Sequence, residues 1–164
     1  VNANVEGLDA RGGESGRAAL SAAARAELLA QTARAAFRRR LARLEERLQS
    51  CRDVPPSECR HALATALADD AACREASLTR ELALSIRGDA VAEACVRPVL
   101  DTGCRDWKAV VASALDGTAE APKAALLADL LGYVSAGVTN KLGPAERAAE
   151  FDRLVTFLLD AAAR

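Results

Sequence analysis

Three scarcities bound what this chain can be. Aromatic residues are 3 % of it, with one Trp, one Tyr and three Phe, so Leu, Val and Ala must fill any core. Nothing in it reaches the run of about eighteen continuous apolar residues that a membrane-spanning helix needs. Sustained period-2 alternation and β-branched runs are also missing, which argues against a sheet.

The chemistry-bearing residues are equally sparse. His61 is the only histidine. It stands two residues from Cys59, and on a helix positions two apart point in different directions, so the two make no nucleophile–base pair. No Glu-x-x-His pair exists for a dinuclear metal site in a bundle. Adjacent Asp69 and Asp70 diverge on a helix, and no calcium-loop spacing of acidic residues around a glycine is present. The sequence therefore assigns no catalytic, cofactor-binding or metal-binding residue, and it reads as non-catalytic. An enzyme would need an invaginated polar site at His61 or Asp69/Asp70.

Methionine is absent and the chain opens at Val1, which reads as a processed or partial form. The formal net charge is -1, from 22 basic and 23 acidic residues. That balance excludes a protein that is polycationic as a whole. The cysteines, Cys51, Cys59, Cys73, Cys95 and Cys104, lack the paired C-x2-C spacing of structural zinc sites.

What the chain does have is helix-forming sequence. Residues 17–50 contain no Gly or Pro and are rich in Ala, Leu, Arg and Glu. Phe37, Leu41, Leu44 and Leu48 recur at 4-3-4 spacing and share one face, which Ala30 and Ala23 extend upstream. Pro55 and Pro56 then turn the chain, with Asp53 or Ser57 a possible cap. A second helix is expected from about Pro56 to Arg87, with Asp69 and Asp70 on its wet face. Gly88 stops it, and a break at ALADDAAC is the alternative. Asp89 is the expected cap of the next helix, which Pro98 should kink or end and Gly103 should stop. A further helix carries Trp107, Val110, Val111 and Leu115. ALLADLLGYVSAGV should be the most buried helix, and Pro144 opens the last.

The fold expected is all-α: a bundle of five or six helices, its two long N-terminal helices forming an antiparallel hairpin. Residues 1–16 read as a flexible lead and 17–164 as one helical domain. Cys51–Cys59 across the prolines, and Cys95–Cys104 across Pro98 and Gly103, are the candidate disulfides, with Cys73 left as a thiol. Such stapling implies a secreted, cell-surface or periplasmic protein.

Function is expected to rest on contact with a protein partner. Residues 17–50 hold eight basic and three acidic side chains, and Arg39, Arg43 and Arg47 are the candidate contacts to an acidic surface. There are two alternatives. One is a carrier of a small apolar ligand or lipid, which would show a closed apolar cavity of about 300 Å³ or more near Trp107 and Tyr133, with Phe151 and Phe157 as further candidate lining. The other is a nucleic-acid binder, which would show the first-helix arginines on one open face with few carboxylates nearby.

Overall fold

The computed structural model describes residues 9–51, 54–115, 123–138 and 144–162. Among these residues there are six helices and no strand: α1 (Asp9–Cys51), α2 (Pro56–Ala72), α3 (Arg74–Ser85), α4 (Ala90–Leu115), α5 (Ala124–Val138) and α6 (Pro144–Ala162). The all-α bundle stands. α1 packs along α4, α4 on α5, α5 on α6, α6 on α2 and α2 back on α1. These five close a ring, and α3 lies outside it against α1.

The core comes in two parts, and α1 and α4 run through both. One part joins the C-terminal halves of α1 and α4 to α2, α5 and α6, with Leu44, Leu67, Val111, Leu115, Leu131 and Val155 at its centre. The other joins their opposite halves to α3, through Ala26, Ala30, Ala33, Phe37, Leu82, Ile86, Val96 and Leu100. Alanine on α1 in the second part lets its neighbours come close. Of the expected α1 stripe, Phe37, Leu44 and Leu48 are buried, whereas Ala23 is exposed.

The helices depart from the first expectation in four respects, three of boundary and one of burial. α1 begins at Asp9 rather than near Arg17, through a segment whose glycines weaken a helix without the steric block that a proline imposes. Its 43 residues span about 64 Å. In place of one long second helix stand two, broken at Cys73 within the ALADDAAC stretch where a break was the alternative expectation; the Cys73 backbone is extended at φ -68 and ψ 156 and its Sγ accepts from the Ala76 N–H at 3.4 Å. The pair of helices expected over residues 89–115 is instead one. Buried Ala92, Val96, Leu100, Gly103, Trp107, Val111 and Leu115 form one unbroken stripe along it, and Pro98 sits on the exposed side. Burial along that stripe outweighs a proline penalty of about 3 kcal/mol. Finally, α5 is not the most buried helix: Leu126 is 62 % and Tyr133 73 % exposed.

The turn between α3 and α4 follows its local signals. Gly88 adopts φ 81, the left-handed conformation that glycine takes without strain. Asp89 Oδ1 then accepts the Ala92 N–H at 3.0 Å, capping α4.

Candidate functional site

At the seam between the two cores lies a buried polar network. Arg40 occupies α1 between Phe37 of one core and Leu44 of the other. Its Nε donates to Asp70 Oδ1 at 2.9 Å and its Nη2 to Oδ2 at 2.6 Å. Trp107 Nε1 donates to the same Oδ2 at 2.8 Å, and Arg40 Cζ stands 5.7 Å from the Trp107 ring centroid. The side chains of Arg40 and Asp70 are only 11 % and 4 % exposed. Burial pulls the Arg40 pKa down, but the hydrogen bond and charge of Asp70 more than offset this and leave it raised. Arg40 therefore stays charged, and the Asp70 side chain ties α1, α2 and α4 together. Asp70 is thus buried, contrary to its expected wet position, while its neighbour Asp69 is exposed.

Against this network opens a groove of about 360 Å³, bounded by α1, α3, α4 and α5. Phe37, Leu100 and Trp107 form its apolar floor. Ala76 and Ala83 on α3 and Gly132 on α5 are the small residues that leave the space. A Cβ on Gly132 would meet only Lys108 Cε at 3.5 Å and Trp107 Cζ3 at 3.7 Å, ordinary contacts. Gly103 has a different role: a Cβ there would lie 2.3 Å from Phe37 Cγ. Its absence lets Phe37 lie flat on α4 and form the floor. At the mouth, Lys108 Nζ stands 5.6 Å from the ring centroid of Tyr133 and 2.6 Å from Asp129 Oδ1. The hydrogen bond to Asp129 raises the Lys108 pKa, so the ammonium stays charged.

The groove brings together two of the four aromatic residues expected around a ligand, Trp107 and Tyr133. Phe157 is 67 % exposed and does not line it. The Phe151 side chain lies outside the described residues. Nothing local marks the site. Its two glycines read as a helix stop and a packing glycine, and the ion pair joins residues thirty positions apart.

Arg39, Arg43 and Arg47 lie on the α1 face towards α2 and α3, where the chain's own carboxylates meet them. Arg39 Nε is 3.6 Å from Glu75 Oε1, Arg43 pairs with the other Glu75 oxygen, and Arg47 pairs with Asp69. Burial alone would raise the Glu75 pKa, but the Arg43 hydrogen bond and the charges of Arg43 and Arg39 hold it below the ordinary carboxylate value. This is not the open, carboxylate-poor basic face that the nucleic-acid reading requires. His61 is exposed.

All five cysteines are free thiols, so the expected staples are absent. Cys95 and Cys104 sit nine residues apart on the continuous α4, a rise of about 13.5 Å that no disulfide spans. The Cys51 thiol is turned to its own helix and donates to the Arg47 carbonyl at 3.2 Å. The extracytoplasmic expectation rested on those staples and gains no support here. Desolvation raises the thiol pKa of Cys51 and Cys73, and does the same to Cys104 on the groove wall. All three are thus poorer nucleophiles than an ordinary cysteine. Among the described residues no three His, Cys, Asp or Glu side chains are grouped to hold a metal ion, and no helix is long and apolar enough to cross a membrane.

Compared with protein-family models, with curated proteins and with solved structures, the chain finds no match.

Proposed function

We propose that this is a non-catalytic helical domain that binds a small apolar ligand in the groove over Phe37 and Trp107. The observation that carries this reading is the groove itself: about 360 Å³, with an apolar floor, open at one side. That volume falls at the lower end of ligand pockets, which run from about 300 to 1,000 Å³. The test is titration with N-phenyl-1-naphthylamine, a neutral probe that fluoresces in apolar sites, read by energy transfer from Trp107, the only tryptophan. One saturable site is expected, lost in Gly132→Leu and in Ala83→Leu, which fill the groove from opposite walls. A failure to bind, or equal binding by the two filled variants, overturns the reading.

A second reading, contact with a protein partner, is supported by a separate feature. Leu126, Leu130 and Tyr133 are 62 %, 38 % and 73 % exposed and share one face of α5 at i, i+4 and i+7 spacing. A photo-crosslinking residue at position 126, compared in the native host with one at exposed position 97 on α4, tests it. A discrete protein adduct at 126 alone supports the contact; no adduct, or the same adducts at both positions, counts against it.

A further inference from the structure

From the charge around the groove we infer that its ligand is an amphipathic monoanion, an acyl or aryl carboxylate whose apolar body lies on Phe37, Leu100 and Trp107 while its carboxylate meets Lys108 at the mouth. This rests on the ligand-binding reading above and adds the sign of the headgroup.

The lining is one-sided in charge. Three cationic side chains, Arg40, Arg80 and Lys108, contribute to it, and among the described residues no Asp or Glu does. The carboxylates bonded to Arg40 and Lys108 stand outside the lining. Asp70 is buried and holds Arg40 from α2, and Asp129 is half exposed and holds Lys108 from α5. Arg40 is therefore committed to the wall, its charge matched by Asp70. Lys108 is placed differently. Its side chain is 39 % exposed and packed over Tyr133, and its partner Asp129 is 51 % exposed. Exposed pairs of that kind contribute no more than about 1 kcal/mol, so an incoming carboxylate competes for the ammonium at little loss. On α3, the Arg80 Nε donates to the Ala76 carbonyl at 3.3 Å, which fixes the guanidinium along the same wall. A neutral ligand would use the floor and leave the mouth unmatched. A cationic one would meet the Lys108 ammonium at the mouth. An anion with an apolar body matches both.

The experiment is displacement of N-phenyl-1-naphthylamine by decanoate, decanol and decylammonium, each below its micellar concentration. Decanoate should displace the probe at a concentration about tenfold lower than decanol does, an advantage that shrinks as salt is raised. Decylammonium should be the weakest. In the Lys108→Gln/Arg80→Gln variant, with each displacement read against that variant's own probe affinity, the preference for decanoate over decanol should disappear. Equal displacement by decanoate and decanol, stronger displacement by decylammonium, or a preference that survives in the double variant overturns the inference while probe binding still stands. Loss of probe binding by the unaltered protein removes the ligand-binding reading and this one with it.

Discussion

Neutralising Asp70 is the sharpest probe of how the two cores are joined. Asp70→Asn keeps the shape of the side chain and an acceptor for the Trp107 N–H, but it places an amide opposite the Arg40 guanidinium and removes the only carboxylate bonded to it in the network. Taking one partner from a buried ion pair costs about 3–5 kcal/mol, most of it from the stranded charge. Arg40 is 11 % exposed and lines an open groove, so water relieves part of that, and the lower end, about 3 kcal/mol, is expected. For a domain of this size that corresponds to a fall in Tm of about 6–12 °C. Thermal and urea unfolding followed by circular dichroism measure the loss, and Trp107 emission reports whether the indole stays buried. The double variant Arg40→Met/Asp70→Asn removes the stranded charge, retains the Trp107 acceptor and should recover most of the stability. A loss below about 1 kcal/mol in Asp70→Asn would refute the idea that the pair is a buried, interdependent unit. A double variant no more stable than Asp70→Asn would show that the Arg40 charge is not what destabilises it.

Three further outcomes follow from local geometry. Gly103→Ala should destabilise by about 1–3 kcal/mol despite its better helix propensity, because the new Cβ meets the Phe37 ring, and Phe37→Leu should relieve it; a rise in Tm on Gly103→Ala would deny the close contact. Gly132→Ala, with only ordinary contacts awaiting its Cβ, should instead stabilise by up to about 1 kcal/mol in chemical unfolding, and a loss there would mean α5 is held closer to α4 than described. Because the Glu75 pKa is lowered in the folded state, its contribution is fully present above its ordinary value of 4.5 and is lost as the pH falls through the folded value. Arg43→Ala should move the Glu75 titration, followed by carboxyl NMR, back towards 4.5, and an unmoved titration would remove Arg43 as the cause.

The helical class and most element positions were legible because local rules govern them. Pro56 and Pro144 open helices, Gly88 turns one off and Asp89 caps the next, each through its own backbone chemistry. Where tertiary packing competes with a local signal, local reading fails in a consistent direction. Pro98 suggests a break, yet α4 continues because its stripe from Ala92 to Leu115 is buried on both sides of that residue. Cys73 carries no strong breaker, so the break in ALADDAAC was legible only as an alternative; α2 ends there, at a bend held by the Cys73 thiol on the Ala76 N–H and followed by a helix that packs on α1 instead of α6. The Cys95–Cys104 expectation failed for the same reason: once Pro98 no longer ends a helix, those two residues cannot approach each other.

The groove was legible only as a pair of aromatic residues, and the physics of the seam explains why. Its walls depend on what is missing, a Cβ at Gly103 and at Gly132 and bulk at Ala76 and Ala83, and small residues on helices look alike whether they face a neighbour or a void. Phe37 and Trp107 are large side chains set opposite them, so the two cores cannot interlock where they meet, and the mismatch leaves space above a floor that is itself well packed. A bundle selected only for stability would close such a gap with larger side chains, since each buried methylene contributes about 0.8 kcal/mol. Here the gap instead coincides with the buried Arg40–Asp70 pair, which hydrophobic residues of similar volume often replace without loss of stability. Two departures from the most stable packing meet at this one seam, and they are the physical ground on which we propose it as a binding site.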